Sequence, residues 1–163
     1  MEVIIMANLA IATNFPATTK YFSVTAPAST VNGHFLALTT KGTDGVYAAA
    51  TPAAITSPSL VMAFAVCLPY AAETVENDYT IATGEVIRCF APELGLEYAI
   101  PVANVTATTP VVAGAYVIPT ATAHIGNCVA SLGGTESVAF IITGTFTKAG
   151  VAMFNMRCIK AQV

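Results

Sequence analysis

Only 9% of the 163 residues are charged, against about 25% in ordinary globular proteins, and six basic and nine acidic side chains leave a net charge of −3. With 55% apolar residues and a mean hydropathy of +0.70, such a chain is expected to cover part of its surface with copies of itself or with a partner, because a dispersed monomer needs interspersed ions to oppose association. The cations, Lys20, Lys41, Arg88, Lys148, Arg157 and Lys160, are scattered and form no stripe along which a phosphate backbone would bind, so no nucleic-acid partner is expected.

The length suits one domain with a sizeable core. Residues 1–16, MEVIIMANLAIATNFP, show no clear period and end at Pro16. They read as an extended N-terminal arm or an edge strand, with Leu9, Ile11 and Phe15 as the apolar anchors of an arm lying on a partner or a sister copy. A first strand of the domain's own sheet is the other reading. Met1 and Met6 are both candidate starts. Residues 17–163 form the domain. Within Lys20–Thr25, Phe22 and Val24 alternate with polar neighbours, as in a half-buried strand. The Asn32-Gly33 turn signal precedes a strand at His34–Thr39, and Lys41–Gly45 (KGTDG) predicts a tight turn into a strand at Val46–Ala50. Ser59–Leu68, bracketed by Pro58 and Pro69, reads as a strand buried on both faces.

Further strands are predicted at Glu85–Phe90, after Gly84, and at Leu96–Val102, joined by a turn at Pro92–Gly95. The connection ending at Pro110 leads to an apolar segment at Ala113–Pro119, and Ser131–Glu136 is a turn. Ser137–Thr147 places Val138, Phe140, Ile142 and Phe146 on one face, while Ile141 on the other implies a second covered face. Lys148-Ala149-Gly150 turns the chain into Val151–Ile159, so the last two strands form a hairpin. With eight to ten short strands and no helical stripe beyond two turns, the fold class is all-β. A single β-sandwich or partly open β-barrel carries the N-terminal arm.

Chemistry is sparse. Cys67, Cys89, Cys128 and Cys158 lie apart in apolar runs without the paired spacing of a zinc site, and read as buried thiols of a reducing compartment. His34 and His124 fit no triad or ligand pattern, and Glu73–Asp78 lacks the spacing and glycine of a calcium loop. Ser131-Leu132-Gly133-Gly134 lacks the lysine and the strand-to-helix setting of a phosphate loop. Glu93 and Glu97 could be paired as glycosidase carboxylates only beside a sugar-stacking cleft, and the chain has no Trp. No catalytic residue, metal or cofactor is expected, and the chain does not read as an enzyme. A membrane span is not expected either. The best apolar run, Leu60–Ala72, is short of about 20 residues and contains Pro69, and residues 1–6 lack the basic and long apolar regions of a signal peptide.

The order of several segments is informative together: Met6-Ala7-Asn8-Leu9, Gly84–Phe90 (GEVIRCF), Glu93-Leu94-Gly95, Thr109–Pro119 (TPVVAGAYVIP), Ala130–Glu136 (ASLGGTE) and the closing strand pair. In these the chain resembles the head decoration (cement, or auxiliary capsid) proteins of tailed bacteriophages. The resemblance covers most of the second half and, more loosely, the start. It implies a non-catalytic virion protein on the capsid exterior, assembled in the host cytoplasm. Such a protein binds the expanded shell, bridges and stabilises major capsid protein subunits, and is a homo-oligomer, trimer or dimer. The low charge and residues 1–5 depart from that pattern. Two other classes fit the residues: a self-assembling tail-tube, fibre or surface-lattice subunit, and a β-sandwich module for glycans or host surfaces. The last requires Tyr21, Tyr47, Tyr70, Tyr79, Tyr98 and Tyr116 to share one accessible face.

Overall fold

The computed structural model describes residues 11–12, 21–28, 30, 33–52, 60–64, 81–120, 126–148 and 150–161. The fold is all-β, in two sheets. The strands are β1 (Ile11–Ala12), β2 (Tyr21–Thr25), β3 (Phe35–Lys41), β4 (Tyr47–Ala50), β5 (Leu60–Phe64), β6 (Val86–Phe90), β7 (Glu97–Pro101), β8 (Val105–Ala107), β9 (Tyr116–Ile118), β10 (Gly126–Val129), β11 (Ala139–Lys148) and β12 (Val151–Lys160). One 3-10 turn, Val102–Asn104, links β7 to β8.

Five strands in the order β2-β4-β3-β5-β6 close on one another as a small barrel, β6 returning to β2 in an antiparallel register that sets Ser23 opposite Arg88. Ring closure needs one parallel pair, β2 with β4, since the other four contacts are antiparallel. The remaining strands form a seven-stranded sheet in the order β1-β7-β12-β11-β9-β10-β8, with β10 and β8 parallel at its far side. The turn between β3 and β4 follows its sequence. Gly45 has φ +86, a conformation glycine adopts without strain, the Asp44 carboxylate accepts from Val46 N–H at 3.0 Å, and Gly42 N–H donates to Val46 O at 2.8 Å.

Alternation along the barrel strands sends one set of side chains inward and the other toward the sheet. Val24, Ala26, Leu36, Ile81, Ile87 and Cys89 pack together inside the barrel. Their chain neighbours Phe35 and Phe90 join the core of the other sheet, with Tyr98, Ile100, Val117, Cys128, Val138, Phe140, Ile142, Phe154, Met156 and Cys158. Four rings cross the junction. Phe90 stacks on Tyr98 (5.5 Å between centroids), Tyr98 meets Phe140 edge-on (5.7 Å), and Phe140 lies 5.6 Å from Phe35. Gly126 is tightly enclosed: an added Cβ would stand 2.5 Å from Val117 Cγ1 on the adjacent strand β9 and 3.4 Å from the Phe35 ring of the barrel.

The structure corrects the sequence reading at three places. β8 falls in the stretch read as a connection ending at Pro110, and β10 in a stretch for which the sequence offers no strand signal. Phe146 does not join the buried face of Val138, Phe140 and Ile142, because a register shift between Ile142 and Gly144 changes the alternation, leaving Phe146 37% exposed. Twelve strands, rather than eight to ten, are present among the described residues. Ile141, from which a second covered face is expected, is half-buried and pairs with the exposed Arg157, whereas Met153, next to the core residue Phe154, is fully buried.

Candidate functional site

Where the β6–β7 turn meets the end of β12, the fold brings titratable side chains together. Gly95 N–H donates to Cys158 O at 2.8 Å and Cys158 N–H donates to Leu96 O at 2.9 Å, so the turn is stitched to β12. Tyr98 is fully buried, and its hydroxyl accepts from Glu93 N–H at 3.3 Å. Burial raises the Tyr98 phenol well above its ordinary value, against the lowering effect of that hydrogen bond, with Cys158 and Glu93 adding to the rise. Burial also pushes the Cys158 thiol up to about 12, and its hydrogen bond to Lys160 O (3.4 Å) opposes the shift. Both groups are therefore neutral at physiological pH. Glu93 Oε1 is buried with no hydrogen-bond partner.

The neighbouring 131–136 loop folds around its own carboxylate. Glu136 is buried, and it accepts from Gly133 N–H at 2.5 Å and Gly134 N–H at 2.8 Å, while Lys160 Nζ donates to Gly134 O at 3.0 Å. A hydrogen bond from its own backbone N–H does most to hold this carboxyl below its ordinary value. The cost of burial opposes the shift, and Gly133, Gly134 and the Lys160 ammonium reinforce it. The paired glycine N–H groups that a phosphate loop would offer a ligand are thus filled by Glu136.

The corner is consequently poor in reactive groups. A nucleophilic thiol must be held as thiolate by a positive or hydrogen-bonding setting, yet burial raises both Cys158 and Cys128. Cys89 is a third buried cysteine outside any disulfide. His34 is buried in the barrel region. Among the described residues no group of three or more His, Cys, Asp or Glu could hold a metal ion, and no helix is long and apolar enough to cross a membrane. Cys67, His124 and residues 73–78 lie outside the described residues.

Of the anchors expected from sequence, Ile11 lies in β1, paired antiparallel with Ala99 at the β7 edge of the larger sheet, while Leu9 and Phe15 lie outside the described residues. The described tyrosines do not share an accessible face. Tyr98 is buried in the shared core, Tyr21 is exposed on the barrel with the Arg88 guanidinium 5.5 Å from its ring, Tyr47 packs edge-on against Phe22, and Tyr116 lies in β9 of the other sheet. Tyr70 and Tyr79 lie outside the described residues.

A long uncharged surface is the more distinctive feature. Between Glu97 and Glu136 the chain has no Asp, Glu, Lys or Arg. This run supplies nearly all of β7, all of β8, β9 and β10, and the exposed Val112 in the turn before β9. Among the described residues β8 is the terminal strand of the sheet and pairs only with β10. The gap in charge was visible in the sequence, but its position at a sheet edge depends on the fold. No protein-family model, curated protein or solved structure matches this chain.

Proposed function

We propose that this chain is a structural virion protein that binds the outside of an expanded phage capsid, bridging and stabilising major capsid protein subunits as a homo-oligomer, and that it is not an enzyme. The observation that carries the proposal is the uncharged run from Tyr98 to Thr135, which gives the larger sheet an edge strand, β8, and an exposed apolar turn at Val112 with no charged side chain. An edge of this kind is a ready template for another chain, and desolvating it against a protein partner costs no buried ion. The resemblance of the ordered segments Gly84–Phe90, Thr109–Pro119 and Ala130–Glu136 to decoration proteins supports the capsid as that partner. In this reading Leu9, Ile11 and Phe15 are the contact residues of the N-terminal segment.

Co-sedimentation with expanded, undecorated capsids tests the reading. Saturable binding at a fixed ratio to the capsid protein is the expected outcome, and Phe15→Asp should abolish it. A point substitution is preferable to deleting residues 1–15, because the deletion would also remove Ile11–Ala12 from the β7 edge. Failure to bind, with tubes or sheets forming from the protein alone, would favour the second reading, a self-assembling tube, fibre or lattice subunit. The same uncharged edge supports that alternative.

A further inference from the structure

The β11–β12 hairpin outruns the sheet that carries it. β9 pairs with β11 only at Phe140 and Ile141, and the Ile142 backbone completes this contact with bonds of 2.8 Å to Gly114 and Ala115. From Gly144 to Lys148, β11 is held by β12 on one side, and among the described residues no strand pairs with its other side. Thr143, Thr145, Phe146 and Thr147 are all exposed. A two-stranded ribbon is at best marginally stable in water, and native proteins protect an open edge with charge, proline or a covering element. Thr143–Thr147 contains neither charge nor proline.

We infer that this edge of β11 pairs antiparallel with the same edge of a second copy, about a two-fold axis through Thr145. The partner is a second copy because the five-residue segment TGTFT is nearly palindromic, and a two-fold interface requires one patch to complement itself. Centred on Thr145, the pairing sets Thr143 opposite Thr147 of the second copy, a favourable cross-strand pair, and Gly144 opposite Phe146 of the second copy. The space for that ring is present, since a Cβ on Gly144 would meet nothing within 4 Å, and an aromatic lying across a strand glycine covers its bare backbone. Centring the axis on Phe146 would instead leave both glycines uncovered. The pairing specifies the self-contact in the oligomer proposed above, and it requires no capsid.

The test uses the full chain. In the proposed register the two Thr145 Cβ atoms lie about 5 Å apart, close enough for a Thr145→Cys variant to cross-link to itself with little adjustment, whereas the two Thr147 positions are roughly 13 Å apart along the strands. Under mild oxidation Thr145→Cys should form a covalent dimer. Thr147→Cys should do so only when mixed with Thr143→Cys. Phe146→Asp, at an exposed position and with an unchanged circular dichroism spectrum as the check on folding, should weaken self-association on the order of 100-fold by light scattering. A wild-type chain that is monomeric at about 100 μM, a Thr147→Cys variant that cross-links alone as fast as Thr145→Cys, or a folded Phe146→Asp variant of unchanged mass would overturn the inference. Thr145→Cys that fails to cross-link yet co-sediments with capsids would overturn the edge pairing and leave the attachment reading standing.

Discussion

Inside the five-stranded barrel the buried side chains are Val24, Ala26, Leu36, Ile81, Ile87 and Cys89, whereas the layer between barrel and sheet is built around Phe35, Phe90, Tyr98, Phe140, Phe154 and Met156. A ring of five strands encloses little volume, so small and branched residues fill it, and the bulky ones point outward. Two of the four rings at the junction, Phe35 and Phe90, belong to barrel strands. Fully burying a side chain of that size contributes about 1.5–3 kcal/mol, so much of what holds the barrel lies outside it. The two sheets therefore share one core, and the barrel is not expected to be stable apart from the sheet.

Removing a ring at the junction should have the largest effect on stability. Phe140 contacts both Tyr98 and Phe35, and Phe140→Ala should cost about 3–5 kcal/mol in urea unfolding, against about 0.5–1.5 kcal/mol for Ile87→Val inside the barrel. A single cooperative transition should lose both sheets together, and separate transitions would show that the cores are independent. Gly126→Ala tests the packing of β10 against β9 beside the junction. The new methyl meets Val117, a fully buried β-branched side chain that cannot swing aside, so a loss of about 1–3 kcal/mol is expected.

The smallest expected effects depend on pH. The Glu136 carboxyl is held below its ordinary value of 4.5, so its contribution is fully present above that pH. It should be lost as pH falls through the lower folded-state value. Glu136→Gln should flatten the acid limb of the stability curve. Cys158 works in the opposite direction, being raised from 9.0 to about 12. Its contribution is intact below pH 9 and should decline as pH rises toward 12, so Cys158→Ala should reduce the alkaline slope measured by chemical denaturation.

Much of this architecture was legible in short windows of sequence. Alternation identifies β2 and β11, and turn signals with apolar or β-branched runs identify β3, β6, β7 and β12, each to within a few residues, because strand period and turn chemistry act between near neighbours. β10 was not legible, since Gly126-Asn127-Cys128-Val129 lacks a polar–apolar pattern and has strand partners on both sides. Phe146 was misplaced because a bulge changes alternation without a distinctive residue to mark it. At the candidate site, the sequence allows Ile11 either role, arm or edge strand, because its pairing with Ala99 joins residues far apart in the chain.

An all-β chain, the closing hairpin, the scarcity of charge and the lack of a recognisable catalytic pattern all follow from composition and local spacing. Long-range pairing, in contrast, makes β2 close a ring with β4 and β6, turns Phe35 and Phe90 to the neighbouring sheet, lets Glu136 fill its own loop, and leaves β11 extending past its cover. These outcomes depend on which distant strands pair and in what register, and many pairings of short apolar strands satisfy the same local pattern.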